Sequence, residues 1–237
     1  MKKSRILLFG GRGAIGGALL QRFVDLGCSV TATSRQEIAP STQSQVKWIV
    51  CDPTQTSIAP DLLDAGAPYD AVIWAQGANC SDSVLDVDPE RHLELYQANC
   101  LFVLQTLRLL LNRNLLAPAA RLVVVSSIWQ TIARPNKLSY IMTKAAIGGL
   151  VQSASVDLAG QGFLINAVLP SALDTPMTRS NLHPDQIKRL AGETGFGRLS
   201  SLDDVVATIE FLCSPRNTGV TGQSIAIDLG FSHARLV

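Results

Sequence analysis

Short apolar runs alternate with helix-length segments along almost the whole chain, and this alternation decides what it can fold into. Residues 6–9, 29–33, 46–50, 71–74, 121–125, 163–169 and 224–228 read as strands, and residues 15–26, 92–112, 139–159 and 202–212 read as helices. Strands bounded by glycines and separated by helices imply βαβ units. Several of the runs are continuously apolar, as strands are when both sheet faces are covered. The expected fold class is therefore α/β, a doubly wound parallel sheet flanked by helices. Ligands in such folds sit beyond the carboxyl ends of the strands, so the residues that follow each strand carry the functional reading.

With 47% hydrophobic and 16% charged residues over 237 positions, the chain can bury one large core. No Pro/Ser/Gly-rich linker, charge block or internal repeat divides it, so a single domain over residues 1–237 is expected. Lys and Arg total 20 against 19 Asp and Glu, a net charge of +1 without the basic footprint of a nucleic-acid binder. Cys28, Cys51, Cys80, Cys100 and Cys213 are odd in number and lack CxxC spacing, which fits reduced thiols better than a disulfide framework. His92, His183 and His233 lie far apart without HExxH spacing, so no metal site is expected. The apolar run after Lys2-Lys3 stops at Gly10, too short for a signal peptide core. No stretch reaches the roughly 18 apolar residues of a membrane span. A cytoplasmic protein with neither membrane nor nucleic-acid partner is the expectation.

The first strand leads into Gly10-Gly11-Arg12-Gly13-Ala14-Ile15-Gly16-Gly17 and then an amphipathic helix. Glycines let the backbone turn tightly and approach a pyrophosphate, whose charge the helix N-terminus favours. A bare turn would use glycines too, but the strand-turn-helix context points to a dinucleotide in a Rossmann-type fold. An NAD-binding fold places a carboxylate about 20 residues further on, against the ribose 2′-hydroxyl. Here the second strand ends in Ser34-Arg35, with a guanidinium available for a 2′-phosphate, and Arg12 can reach the same group. NADP(H) is the preferred cofactor on this reading, and Glu37 leaves NAD(H) open.

The fifth strand ends at Ser126-Ser127, and Tyr140-Ile141-Met142-Thr143-Lys144 follows. Tyr140 and Lys144 are spaced i, i+4 and share one helix face. A free phenol, with a pKa of about 10, is a poor proton donor or acceptor at neutral pH. A nearby ammonium lowers that value. The pattern predicts an activated phenol, its activator, and a strand-end hydroxyl to orient a substrate oxygen. Each residue alone has an ordinary structural use; their combination with the glycine turn points to hydride chemistry on a carbonyl.

Over nearly its whole length the chain resembles the short-chain dehydrogenase/reductase family, in a pattern similar to bacterial 3-oxoacyl-[acyl-carrier-protein] reductases. The resemblance rests on the glycine turn, Asp52, Asn99, Ser127, Tyr140, Lys144, Asn166-Ala167-Val168-Leu169-Pro170-Ser171, Asp174-Thr175-Pro176-Met177, Gly197-Arg198-Leu199 and Thr221-Gly222-Gln223. It implies a dinucleotide-binding half over about 1–120 and a catalytic and substrate half over about 121–237. It makes Tyr140 the acid in reduction and the base in oxidation. Lys144 holds the nicotinamide ribose and lowers the phenol pKa, Ser127 bonds the substrate carbonyl, and Asn99 supports a relay water. The implied cofactor contacts are Gly10, Arg12, Gly13, Ala14, Ile15 and Gly16 in the turn, then Ser34 and Arg35. Asp52, with Pro53, meets the adenine; Gly77, Tyr140, Lys144 and Pro170 follow, with Leu173 and Thr175 at the carboxamide. Trp129, Ser127 and Met177 line the substrate pocket.

Several positions depart from the family pattern. Phe9 replaces the usual Thr, Ala14 the middle glycine, Trp74-Ala75-Gln76-Gly77 the usual Asn-Asn-Ala-Gly, and Ser171 the glycine after Pro170. The two arginines by which the similar reductases dock their carrier protein map to Pro118 and Gln161, which makes carrier docking doubtful. The substrate is read as a small-molecule ketone or secondary alcohol. An oxoacyl thioester is the first expectation and a small cyclic or polyketide-like ketone the second. The alternative is a non-catalytic NADP-binding regulatory protein. The family usually assembles as tetramers through its two long helices and C-terminal segment, so a homotetramer is expected, with Leu236-Val237 buried against a neighbour.

Overall fold

The computed structural model describes residues 3–38, 46–55, 63–64, 66–175, 178–179 and 183–234. Met177, Leu236 and Val237, named above, lie outside the described residues. The elements run β1 (Arg5–Phe9), α1 (Ala14–Asp25), β2 (Ser29–Ser34), β3 (Val46–Val50), β4 (Tyr69–Trp74), α2 (Pro89–Tyr96), α3 (Phe102–Asn112), β5 (Leu116–Val125), α4 (Leu138–Asp157), β6 (Leu164–Pro170), α5 (Pro184–Gly192), α6 (Leu202–Cys213) and β7 (Ser224–Ile227). The strands form one sheet in the order β3-β2-β1-β4-β5-β6-β7, with every pairing parallel. The chain reverses its direction across the sheet between β1 and β4, where an open α/β sheet forms its ligand crevice.

The central strands feed two cores, one on each face of the sheet. Leu7, Phe9, Trp74 and Leu122 pack with Phe102, Leu110, Ile147 and Val151 of α3 and α4. Ile6, Leu8, Ile73 and Val123 pack with Leu19 and Phe23 of α1 and with Val205 and Ile209 of α6. This two-sided burial is the reason β1, β4 and β5 end in continuous apolar runs. The Phe9 ring stacks on Trp74 at 5.8 Å and meets Phe102 edge-on at 5.3 Å, so the residue that departs from the family pattern anchors a buried aromatic cluster.

Three features differ from the sequence expectation. The helix read as 92–112 starts earlier, at Pro89, because Asp88 caps it by accepting from the Glu90 and Arg91 N–H groups. It is also interrupted by a π-helical turn, Gln97–Leu101, in which the Phe102 N–H donates to Gln97 O. Helix α5 was not expected at all, although His183, Pro184 and Gln186 form a capping box with proline in the first turn. No described helix is long and apolar enough to cross a membrane. All five cysteines are free thiols.

The Trp74 indole N–H, fully buried, donates to Thr106 Oγ1 at 2.7 Å. Thr106→Val keeps the side-chain shape and leaves that donor unpaired. We expect a loss of about 1–3 kcal/mol, read as a lower urea midpoint with unchanged m; an unchanged midpoint would contradict this account.

Candidate functional site

Because every strand runs the same way, the residues following β1 to β6 gather along one edge of the sheet. The glycine turn after β1 is pinned from both sides. Thr33 on β2 receives the Gly10 N–H on its hydroxyl and the Gly11 N–H on its carbonyl, each at 3.0 Å. Gly10 has φ +82°, and a side chain there would place Cβ 2.7 Å from the Gln76 N beyond β4. At Gly16 a Cβ would lie 2.1 Å from Gly10 O. Only glycine satisfies either position. Helix α1 then starts at Ala14 and Ile15 with Gly13 as N-cap, no side-chain cap and no acid in its first turn. Its N–H groups are left to face an anion.

Across the neighbouring strand ends, Ser34 is buried while Arg35 and Arg12 are exposed, and neither arginine has a carboxylate partner among the described residues. Asp52, followed by Pro53, accepts from the Thr54 N–H at 3.0 Å and its hydroxyl at 2.8 Å. Beyond β4, a Cβ on Gly77 would sit 3.3 Å from Asn99 Oδ1 and 3.7 Å from Lys144 Nζ, so the missing side chain keeps that passage open. Beyond β6, Pro170 and Leu173 are buried, and Thr175 Oγ1 accepts from the Thr178 N–H at 3.1 Å. Two buried oxygens along this edge, Gln76 Oε1 and Ser126 Oγ, have no partner within the protein. Unpaired buried polar atoms beside a side-chain-free cradle fit a polar cofactor lying in the crevice.

Asn99, Ser127, Tyr140 and Lys144 converge beside it. Asn99 stands in the π-helical turn, accepting from the Ala78 N–H at 2.8 Å and donating to Ala78 O at 3.0 Å and Thr143 Oγ1 at 2.9 Å. Both amide hydrogens are therefore spent within the protein. The side chain ties the segment after β4 to α4. Ser127, at the end of β5, bonds the Tyr140 phenol, and its Oγ lies 3.5 Å from Pro170 O. Lys144 Nζ is 5.5 Å from the Tyr140 ring centre, is almost wholly buried and donates to Val125 O at 3.2 Å. Burial in this apolar setting lowers its pKa to about 8. The phenol differs from the sequence expectation: burial pushes its pKa up, against the opposing bond from Ser127.

The cleft in front of Tyr140 has a volume of about 230 Å³ and includes Asn79, Ser127, Trp129, Arg134, Lys137, Leu199 and Phe231 in its wall. Trp129 stands in this wall, edge-on to Phe231 at 6.4 Å. Arg134, Lys137 and Phe231 are pocket residues that the sequence reading missed. The first two lie between Ser127 and Tyr140 in the chain, and that position was the available signal. Lys137 Nζ donates to Asn79 Oδ1 and Cys80 O, both at 2.9 Å, and lies 5.9 Å from the Tyr140 ring centre. Among the described residues no group of His, Cys, Asp and Glu is arranged to hold a metal ion.

A family profile described as enoyl-(acyl carrier protein) reductase matches residues 12–232. L-xylulose reductase of Bos taurus is 28% identical over 240 residues, covering 96% of each chain. Among solved structures, a short-chain dehydrogenase family protein from Francisella tularensis superposes with a TM-score of 0.89 at 24% identity, covering 98% of this chain and 100% of that one. A gluconate 5-dehydrogenase from Burkholderia cenocepacia, in complex with NADP and tartrate, gives 0.88 at 20% identity, covering 99% and 97%.

The buried ammonium has a signature in stability. Lys144 titrates near 8 in the folded protein and 10.5 unfolded. Between those values the unfolded chain holds the proton and the folded one does not, so this group makes stability rise with pH. Below the window both states are charged and above it both are neutral. The unfolding free energy of the wild type minus that of Lys144→Met should therefore rise between pH 8 and 10.5, by on the order of 3 kcal/mol. Urea titrations at the two ends measure it, and a flat difference would show that the ammonium is not buried as described.

Proposed function

The chain belongs to the short-chain dehydrogenase/reductase family, oxidoreductases acting on alcohol and ketone groups, and from that premise we propose that it is an NADP(H)-dependent reductase of small ketones with Tyr140 as the proton donor. The observation that carries this reading is the meeting of Ser127 and Tyr140 at the wall of a cleft, with the Lys144 ammonium buried 5.5 Å from the phenol ring centre and beside the passage that Gly77 keeps open. When bound, NADP(H) supplies or accepts the hydride. Ser127 Oγ and the Tyr140 hydroxyl bond the carbonyl oxygen, fixing the reacting carbon, and Tyr140 gives its proton to that oxygen. Burial holds the phenol protonated, which suits donation in the direction of reduction. Lys144 holds the ribose hydroxyls, and in oxidation its ammonium stabilises the phenolate. Asn99 keeps α4 and the segment after β4 in register, so that the reacting groups stay aligned.

The cofactor-side residues take the roles set out from the sequence. Gly10, Gly13, Ala14, Ile15 and Gly16 hold the pyrophosphate, Arg12 and Arg35 with Ser34 the 2′-phosphate, Asp52 and Pro53 the adenine. Gly77, Pro170, Leu173 and Thr175 hold the nicotinamide end. Two exposed guanidiniums free of carboxylate partners favour NADP(H) over NAD(H). The small cleft and the uncharged Pro118 and Gln161 favour a free small ketone over a carrier-bound oxoacyl thioester. Exposed Leu93, Leu104, Met142 and Val156 on α2, α3 and α4 support a homotetramer built through these helices. The cytoplasm is the proposed location.

Tyr140→Phe should bind NADPH as the wild type does, by fluorescence titration, while turnover across a ketone panel falls at least about a hundredfold. Retained turnover would remove Tyr140 from the reaction. Arg35→Ala should weaken NADPH on the order of tenfold or more and leave NADH little changed; equal losses would refute the 2′-phosphate contact.

A further inference from the structure

We propose that the substrate carries a carboxylate, held by the Arg134 guanidinium at the cleft wall in a positive field that Lys137 reinforces. The proposal rests on the reading of this cleft as the carbonyl site. Among the described residues the cleft wall contains two cations and no acid. Among the described residues the carboxylate that acts on Lys137 is Asp82, whose Oδ1 is taken by the Ser139 N–H at 3.0 Å and whose side chain also bonds the Ser139 hydroxyl and Cys80. Arg134 is exposed and takes part in no ion pair among the described residues.

Arg134 is also held in place. Its guanidinium carbon lies 5.7 Å from the centre of the Trp129 ring, and Trp129 is braced in turn by Phe231. A guanidinium stacked on an aromatic face keeps its planar fork of N–H groups free for an oxyanion while losing less freedom on binding. Lys137 is different in kind. Asn79 Oδ1, Cys80 O and Ser81 Oγ already surround its ammonium at 2.9, 2.9 and 3.4 Å, so it contributes charge and not a free donor. One open guanidinium fork matches one carboxylate in bidentate fashion. A phosphate would bring a further charge, and the second cation of the wall, Lys137, already has its ammonium surrounded. The apolar surfaces of Trp129, Leu199 and Phe231 suit the carbon chain between acid and ketone.

The test compares straight-chain oxo acids of increasing length with their methyl esters and with keto phosphates, using wild type and Arg134→Gln with NADPH. The wild type should prefer acid over ester in kcat/KM by about tenfold to hundredfold, as loss of a charge-assisted bond pair implies. In Arg134→Gln that preference should collapse, mainly through KM, and Arg134→Lys should restore part of it. A preference that is absent in the wild type, or that survives in Arg134→Gln, overturns the proposal, as does a keto phosphate that outperforms every acid. Binding without turnover is read separately, from quenching of tryptophan fluorescence by glutarate in the NADPH-loaded protein. Glutarate binding that needs Arg134, with no ketone reduced, would sustain the anion site and sink the catalytic reading. Reduction of neutral ketones with no Arg134-dependent glutarate binding would do the reverse.

Discussion

A buried ammonium without a carboxylate partner among the described residues is the constraint around which this molecule is arranged. Lys144 sits on α4 with its nitrogen against Val125 O and the Tyr140 ring, and the ionisable group acting on it is the Cys100 thiol. Such a charge is costly to bury. The fold tolerates it because the ammonium loses affinity for its proton and because its surroundings are held by other means. Gly77 makes room beside it, and Asn99 ties the segment after β4 to Thr143, one residue before it. The π-helical turn places Asn99 where it can do this. Irregular helical turns of this kind are uncommon and recur at functional sites.

The stability that carries this cost comes from the two cores. Neighbouring strand residues point to opposite faces, so Leu7 and Phe9 support α3 and α4 while Ile6 and Leu8 support α1 and α6. The glycine turn and α4 are thereby fixed to the same strands from opposite sides of the sheet. Their relative position follows from strand register, including Phe9 opposite Trp74 and Trp74 opposite Val124.

The strands and the Tyr140–Lys144 pair were legible because their signals are local. Short runs rich in apolar residues, several of them continuous, marked all seven strands, and the i, i+4 spacing put Tyr140 and Lys144 on a common face. What escaped depends on distant partners. The π-helical turn carries no compositional mark, and although the family resemblance singled out Asn99, its ties to Ala78 and Thr143 show only in the fold. Arg134 and Lys137 look like surface charges until Trp129, Phe231 and Asn79 are brought round them. Helix α5 had its proline and capping residues in plain view but only nine residues, few of them apolar.

The direction of the Tyr140 shift is the most instructive difference. Spacing alone suggests that an ammonium close by must lower a phenol pKa, and at 5.5 Å a full charge would contribute about 3 kcal/mol at an effective dielectric of about 20. Two conditions limit that. The distance runs to the ring centre and not to the oxygen, and an ammonium that titrates near 8 is itself weakly held as a cation. The same burial that would strengthen the attraction disfavours both charges, so the phenol stays protonated. Anything that brings hydroxyls or an anion against Lys144 favours its charged form, and through it the phenolate. Ligand binding in the crevice and proton affinity at Tyr140 are thus linked, and the acid-base character of the phenol belongs to the loaded site and not to the tyrosine alone.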